Sequence, residues 1–248
     1  MTAEARTEQT RQVILAAACE VIAEIGFEKV RMRMVAERAG VSTALLHYHF
    51  STRENLFLEA LRFSYGIAGM SGYLAEAPQQ APHSWRLARV VDACLPIDDE
   101  LRRDFLLWQE LHLRAVRDPD SLRVAQDLYA DLKDWVAGVV RDGVAAGEFA
   151  PCDAGRVADL VISLTNGYGI RVLIGGPAMS LGEARDQVWT VLATQLGLPA
   201  PFPLARPDSR SEPRPDSRPA SRPDSRPASR PEPRPGPEAE PAALPDTR

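Results

Sequence analysis

The sequence has few cysteines, few aromatic residues and no excess of basic charge. Its 248 residues contain three cysteines, at the scattered positions 19, 94 and 152. An odd, dispersed set of thiols is typical of a reducing cytoplasm and argues against a disulfide-stapled secreted domain. The formal net charge of −5 gives no global indication of nucleic-acid binding, so the local distribution of charge must decide that question.

Targeting segments and catalytic motifs are also missing from the sequence. Residues 1–12 are polar, and no apolar stretch approaches the roughly 20 residues of a membrane span, so we expect a cytoplasmic protein. There is no phosphate-binding glycine loop, no Gly-x-Ser-x-Gly and no His-Glu-x-x-His. His47 and His49, two residues apart on a predicted helix, point to different sides and cannot share a metal ion. We therefore expect no enzyme, no metal site and no cofactor.

Apolar residues recur at three- and four-residue steps through most of the chain, and no segment alternates as a strand does. The pattern predicts an all-α fold of about nine helices. The predicted helices cover residues 7–25, 52–75, 83–95, 98–117, 119–146, 153–173 and 180–197, together with two short helices within 31–50.

Residues 31–50 predict a helix-turn-helix. Gly40 and Val41 form the turn, because glycine accepts the backbone angles of a sharp corner. Ser42 can cap the second helix, and the first residues of such a helix can enter the major groove of B-DNA. Charge agrees with this interpretation, since five of the seven cations in residues 1–60 lie between Lys29 and Arg53.

The helix after this motif predicts an anion site. Residues 51–54, Ser-Thr-Arg-Glu, have the spacing of a capping box. A helix N-terminus attracts anions, and Arg53 adds a full positive charge beside it. The alternative for the whole segment is a solvated basic face on a small helical bundle.

The stretch from Val35 to Phe57 resembles the DNA-binding signature of the TetR family of bacterial regulators. The resemblance implies that the second helix reads bases at its start and grips phosphate further along, with Arg53 in place of the usual lysine. Two positions depart from the pattern: Arg31 stands where a hydroxyl residue usually caps a helix, and His47 replaces a commoner tyrosine. The predicted DNA-binding residues are Arg31, Arg33, Ser42, Thr43, Ala44, Leu45, His47, Tyr48, His49 and Arg53.

The C-terminal half resembles the ligand domain of choline-sensing (BetI-type) TetR regulators. The motifs are Trp-Gln-Glu at 108–110, Arg-Asp-Pro at 117–119, Gly-Glu-Phe at 147–149, Asn-Gly-Tyr-Gly at 166–169 and Gly-Gly-Pro at 175–177. The family then implies a homodimer formed by helices 153–173 and 180–197, although an intrachain core needs the same apolar stripes. The predicted dimer contacts are Val157, Leu160, Val161, Leu164, Val188, Val191, Leu192 and Gln195.

A small-molecule pocket is the second functional expectation. Aromatic residues with a few polar groups are the usual lining of such sites, but an aromatic stripe on a helix is more often plain core. An aromatic cage for a quaternary ammonium would use cation–π attraction. The candidate ligand-binding residues are Phe105, Trp108, His112, Asn166 and Tyr168, with Trp85, Tyr129 and Trp135 as possible neighbours.

These expectations define a three-part chain: a DNA-binding domain (1–55), a ligand-binding and dimerisation domain (56–198) and a Pro/Arg/Ser-rich tail (199–248). The tail contains too few large apolar residues to offset its ordering entropy, so we predict disorder. It is either a simple appendage or a weak DNA tether. The expected function is a ligand-released repressor on a near-palindromic operator. The alternatives are a TetR-type activator and a protein-interaction module with a degenerate DNA-binding domain.

Overall fold

Every regular element in the described part of the chain is helical, which confirms the predicted all-α fold. The computed structural model describes residues 3–65, 78, 80–175 and 179–204. Within these ranges the nine α-helices are α1 (Ala3–Ile25), α2 (Met32–Ala39), α3 (Thr43–His49), α4 (Arg53–Tyr65), α5 (His83–Ala93), α6 (Asp99–Ala115), α7 (Pro119–Ala145), α8 (Ala154–Ile174) and α9 (Leu181–Leu196). A 3-10 turn, Phe27–Lys29, joins α1 to α2. The remainder of the predicted helix 52–75 lies outside the described residues.

Most helices begin where a short polar side chain can satisfy the first free backbone N–H groups. The Ser42 hydroxyl accepts a hydrogen bond from the Leu45 backbone at 3.1 Å. Ser180 and Glu183 form a complete capping box at the start of α9. The predicted cap at Ser42 is thereby confirmed, and Asp98, Asp118 and Asp153 cap the starts of α6, α7 and α8 in the same way.

The cap of α4 differs from the predicted one by one residue. The Thr52 hydroxyl, not that of Ser51, accepts the backbone N–H three residues later, from Asn55, at 3.0 Å. The predicted capping box at 51–54 is therefore wrong. Glu54 instead pairs with its neighbour Arg53, with Nη2 and Oε1 3.3 Å apart.

The first hydrophobic core joins the helix-turn-helix segment to the following domain. It contains the buried faces of α1–α4 and also Leu107, Trp108 and Leu111 from α6 and Val124 and Leu128 from α7. The predicted domain boundary at residue 55 falls inside α4. That boundary stays a prediction, but the apolar packing is continuous across it.

The second core is built from α5, α7, α8 and α9, and it extends further along the chain than expected. Phe202 and Leu204 pack against it, and Trp189 Nε1 donates a hydrogen bond to the Pro199 carbonyl at 3.0 Å. Residues 199–204 therefore pack on the folded domain, because Trp189 supplies an apolar face and a donor for them, while the predicted start of the tail at residue 199 stays a prediction. The tail from residue 205 onward lies outside the described residues.

The expectation that no apolar stretch approaches membrane-spanning length needs correction at α8. The helix has 21 residues and contains an 18-residue window with a mean hydropathy of 1.3, so it is long and apolar enough to cross a membrane by length and composition. A core helix of a soluble protein passes the same test, so this is weak evidence of a membrane span. In this fold α8 packs against α7 and α9.

Candidate nucleic-acid interface and small-molecule site

Helix α3 is anchored by one face and presents the other to solvent. Leu46 is fully buried and Phe50 follows it into the core, which fixes the helix on α1 and α2. The hydroxyl of Ser42 is used in capping, so this residue orders the helix start. The opposite face consists of side chains with substantial exposure: Thr43, Ala44, Leu45, His47 and Tyr48.

The exposed face has the size gradient that groove entry requires. Thr43 and Ala44 at its start are small, so the backbone there can approach base edges. Tyr48 is 77% exposed, and its ring lies 5.2 Å from that of His49 at nearly a right angle. Their polar tips stand one to two turns further along, where hydrogen bonds to phosphate oxygens position a protein on a duplex.

The cations around α3 are not all available to an anion. Arg38 is committed to α1, since its guanidinium lies 2.7 Å from a carboxylate oxygen of Glu24 and 3.0 Å from one of Glu20. Arg31 is exposed and occupies the N-cap of α2 without a side-chain cap hydrogen bond, which confirms the weak cap expected there. Arg33 is exposed and stands 3.5 Å from a glutamate one turn along. The free cationic surface is therefore smaller than residue counting indicates.

Arg53, predicted to bind phosphate, is already engaged within the chain. Its Nη1 donates to the backbone carbonyls of Glu28 at 3.3 Å and Val30 at 3.5 Å. Its guanidinium carbon lies 4.4 Å from the centre of the Phe27 ring. About a third of the side chain is exposed, at 31%. An incoming phosphate would thus meet a guanidinium that also holds the turn before α2.

An aromatic cluster, formed by Tyr65, Trp108, His112 and Tyr129, lies where α4, α6 and α7 meet. The Trp108 ring centre is 5.0 Å from that of Tyr65, 4.7 Å from His112 and 4.9 Å from Tyr129. Aromatic pairs at these distances stabilise one another beyond simple burial. The sequence anticipated Trp108 and His112, and named Tyr129 as a possible neighbour.

A chain of hydrogen bonds crosses the cluster towards α8. Asn166 Nδ2 donates to the Tyr129 hydroxyl at 3.4 Å, and that hydroxyl lies 2.8 Å from His112 Nε2. Burial lowers the pKa of His112, so the ring is neutral at pH 7 and Nε2 can accept from the hydroxyl. In this neutral ring the proton is then carried by Nδ1. The Asn166 amide, the Tyr129 hydroxyl and His112 Nε2 are thus hydrogen-bonded to one another, and none of these groups is charged.

Two grooves flank Tyr129, and its side chain lines both. One, of about 240 Å³, lies between α7 and α8 and includes Asn166 and the ion pair of Lys133 with Asp159. The other, of about 380 Å³, lies between α6 and α7 and includes His112, Val116 and Leu122. Ligand sites typically span about 300–1,000 Å³, so the first groove is below this range and the second is near its lower end. Displacement of Tyr129 would bring them together.

Three of the five candidate ligand residues, Phe105, Trp108 and Tyr168, line neither groove, and of these only Trp108 belongs to the aromatic cluster. Phe105 is buried, and a Cβ added to Gly169 would come within 2.4 Å of its ring. It therefore fills the gap that glycine leaves on α8 and acts as packing. Tyr168 packs against the second core, with the Arg171 guanidinium 5.9 Å from its ring centre. The packing of Phe105 and Tyr168 therefore gives no support to a ligand-binding role, which stays a prediction for both residues.

Four predicted dimer contacts are interior residues of the single chain. Val157, Val161, Val188 and Leu192 are at most 3% exposed and belong to the second core. They have almost no surface to give to a second subunit, so this burial argues against their predicted role as dimer contacts. Two apolar faces with the same periodicity cannot be told apart from sequence when a helix is apolar all round.

The outer face of α8 is an apolar surface of which the predicted dimer contacts included only Leu160 and Leu164. Ile170 is 40% exposed and Ile174 is 77% exposed. Leu160 and Leu164 are partly exposed and Gly167 is exposed on the same side. These positions follow one another at three- or four-residue steps, so they form a continuous stripe along α8. Val191 and Gln195 on α9, both in the predicted set, also retain exposed surface.

Comparison with protein families gives two matches that follow one another along the chain. Residues 14–60 match the family described as "Bacterial regulatory proteins, tetR family". Residues 84–197 match the family described as "BetI-type transcriptional repressor, C-terminal". The first match contains α2, α3 and most of α4, and the second contains both grooves and the outer face of α8. These matches confirm the two resemblances noted in the sequence.

Individual relatives and solved structures agree with this assignment. The chain is 23% identical over 194 residues to the HTH-type transcriptional regulator UidR of Escherichia coli strain K12, covering 71% of this chain and 95% of UidR. It is 23% identical over 186 residues to the regulator BetI of Brucella suis, covering 75% and 91%. A transcriptional regulator from Saccharomonospora viridis, solved in complex with choline, is 29% identical, with a TM-score of 0.68 and coverage of 76% and 98%.

Proposed function

Because this chain belongs to the TetR family of transcriptional regulators and has a BetI-type C-terminal domain, we propose that it is a dimeric, ligand-released repressor. The observation that supports this most directly is helix α3. It is pinned by a fully buried Leu46 while Thr43, Leu45 and Tyr48 stand in solvent. A helix that was only structural would gain nothing from this exposed face.

On DNA, the start of α3 enters the major groove. Thr43, Ala44 and Leu45 contact base edges, and the leucine side chain can meet a thymine methyl group. His47, Tyr48 and His49 contact phosphate, together with Arg31 and Arg33 from the edge of α2. The α4 N-terminus with Arg53 supplies a further anion contact. Phosphate contacts fix the register, and base contacts determine the sequence.

The dimer forms through the outer face of α8 with the adjacent exposed edge of α9. This assignment rests on the exposed stripe from Leu160 to Ile174 and replaces the four interior residues. A twofold dimer places two α3 helices one DNA turn apart, about 34–36 Å, and so predicts a near-palindromic operator. The site of action is the cytoplasm, where the DNA is.

The effector binds beside Tyr129, in a space opened between the two grooves. The aromatic cluster offers ring faces that attract an organic cation, and the hydrogen-bonded chain offers neutral partners. The regulator from Saccharomonospora viridis was solved with choline, so choline is the first probe for this chain. Movement of Tyr129 would break its hydrogen bonds to His112 and Asn166, and the ligand has to replace them.

Release from the operator follows by linkage. If the effector favours a dimer whose α3 helices are wrongly spaced, a coupling of about 1–3 kcal/mol lowers operator affinity roughly 5- to 150-fold. Helix α4 is one lever, because it begins at the DNA face and its end is bonded to α6. Ser64 Oγ donates to Asp104 Oδ1 at 2.5 Å, and the Tyr65 hydroxyl donates to the Asp104 carbonyl.

Fluorescence anisotropy with the DNA upstream of the chain's own gene tests operator binding. Arg53→Ala should weaken binding to all sequences similarly, whereas Thr43→Ala should change the preference between sequences. The matched control is Arg62→Ala, an exposed arginine at the far end of the same helix, which should bind as the wild type does. Indifference to both Arg53 and Thr43, with no preference over competitor DNA, would support the protein-interaction alternative.

Light scattering tests the dimer, and titration with choline tests the effector. Ile170→Glu should shift the protein towards monomer, while Leu113→Glu, at an exposed leucine on α6 that is 58% accessible, should not. Choline should weaken operator binding by the fold-change given above. Unchanged operator binding at saturating choline would exclude choline as the effector and leave the DNA-binding proposal intact.

A further inference from the structure

The corner between α1 and α2, residues Gly26–Val30, determines how the helix-turn-helix leaves α1. Gly26 has a φ of 76°, which favours glycine, and Phe27 is 1% exposed in the core. Arg53 holds this corner from the DNA side, through the carbonyls of Glu28 and Val30 and through the Phe27 ring. The corner therefore helps to position Arg53, the predicted phosphate contact.

Helix α6 of the effector domain holds the same corner from the other side. The Arg114 guanidinium carbon lies 4.1 Å from the Phe27 ring centre, and its Nη1 lies 3.1 Å from Glu28 Oε1. One helical turn earlier, Glu110 approaches Gly26 so closely that an added Cβ would lie 3.1 Å from its Oε1. Arg114 is only 19% exposed along its side chain, so this is a packed contact.

Two guanidinium groups therefore share one aromatic ring. Each is attracted by the ring face, and they repel each other as like charges, so the position of one affects how the other is held. Arg114 is two residues beyond His112, which bonds Tyr129 at the grooves. A shift of the α6 end, where His112 lines a groove, reaches the corner directly through Arg114, whose guanidinium carbon also lies 5.3 Å from the centre of the Phe57 ring of α4.

We propose that Arg114 is a positioning residue which, through the ring of Phe27, couples the end of α6 to Arg53 and to the orientation of α3. This inference rests on the proposed function and deepens it, since it assigns a route of regulation to the same DNA-binding surface. Arg114 itself touches no DNA. Its role is to hold the Gly26–Val30 corner so that Arg53 and α3 meet the duplex together.

A double-mutant cycle on operator affinity tests the coupling. Arg53→Ala and Arg114→Ala should each weaken binding about 5- to 20-fold. The double variant should be no more than about twofold weaker than the worse single variant, because both changes release the same corner. Residues that act independently give the product of the two single effects, and that result would overturn the proposal.

Two further variants separate the ring contact from charge and from general damage. Arg114→Lys keeps a positive charge near Glu28 but weakens the ring contact, because an ammonium cannot stack on a ring as the planar guanidinium does, so its DNA binding should fall between that of the wild type and that of Arg114→Ala. Wild-type behaviour of Arg114→Lys would contradict the role of the ring. Arg117→Ala, at an exposed arginine just beyond the same helix, is the matched control and should bind as the wild type does.

The same four proteins of the cycle distinguish failure of this inference from failure of the proposed function. If the wild type shows no operator preference, the proposed function fails. The Arg53–Arg114 coupling is then still measured by urea unfolding, where non-additive shifts of the midpoint support it and additive shifts overturn it. If the wild type binds its operator but both cycles are additive, only the coupling route is wrong.

Discussion

Two adjacent leucines on α3 should separate the folding of this helix from its recognition of DNA. Leu46 is 0% exposed and lies in the first core, whereas Leu45 is 39% exposed. Alanine at position 46 removes buried methyl groups and leaves a cavity, so we expect a loss of about 2–5 kcal/mol in the free energy of unfolding. Alanine at position 45 removes no core contact and should change that free energy by less than about 0.5 kcal/mol.

Operator affinity should show the reverse pattern. Leu45→Ala removes an apolar contact to base edges, so the folded protein should bind its operator roughly tenfold more weakly, near the low end of the about 1–3 kcal/mol of a base contact. Leu46→Ala should lose operator binding only to the extent that the protein is unfolded. A ligand-free domain typically has only about 5–15 kcal/mol of stability, so low temperature should restore part of its binding.

Urea unfolding followed by circular dichroism, with anisotropy on the same samples, measures both quantities. The urea midpoint should change strongly for Leu46→Ala alone. The dissociation constant for the operator should change strongly for Leu45→Ala under conditions in which this variant is fully folded. Equal midpoints for the two variants would refute the packing of α3 described here. Unchanged operator affinity for Leu45→Ala would refute the assignment of its outer face.

Three other perturbations should have measurable effects on the free protein. Gly143→Ala should cost about 1–3 kcal/mol of unfolding free energy by overpacking, because the added methyl would lie 2.3 Å from the Phe149 ring. Thr52→Ala should cost about 1 kcal/mol as a lost helix cap, whereas Ser51→Ala should cost almost nothing. Burial raises the pKa of Asp104 to about 6 from 3.8, so the folded state holds this proton more tightly than the unfolded state does. The free energy of unfolding should therefore fall as the pH rises from about 4 to about 6, and Asp104→Asn should reduce that fall.

Each of these changes has an internal control. Gly138→Ala lies on the same helix α7 with only a flexible arginine tip nearby, at 3.8 Å, and should be neutral or slightly stabilising. Asp118→Asn should act in the opposite sense to Asp104→Asn, because hydrogen bonds from Ser121 lower the pKa of Asp118. Its stabilising contribution is lost as the pH falls. Matching pH profiles for the two aspartate variants would contradict the opposite environments described for them.

Features decided within a few residues of the chain could be predicted from sequence. The caps at Ser42, Asp98 and Ser180 depend on one side chain and a backbone N–H three positions later. Gly40 ends α2 with a left-handed φ of 66°, as its place in the turn predicts. Even here the register is delicate, since Ser51 and Thr52 are both good caps and only the packing of α4 selects the second.

Features decided by long-range packing could not be predicted. The apolar stripe of Val157 and Val161 and that of Leu160 and Leu164 have the same periodicity, and only the position of α7 shows which one is interior. The packing of the chain as far as Leu204 depends on contacts with Trp189, and nothing in the composition of the Pro-rich segment itself indicates those contacts. Arg114 has the sequence environment of an ordinary helix-terminal cation, and its contact with the corner is visible only in the fold.

The central claim is that two copies of α3, held by one dimer, occupy successive turns of a duplex. Sedimentation velocity of the protein with a fluorescent promoter fragment, at modest ionic strength and with competitor DNA, tests it most directly. The account predicts a complex of two chains per duplex that persists in competitor and dissociates for Ile170→Glu. A single chain per duplex, or a complex lost equally to any competitor sequence, would contradict it.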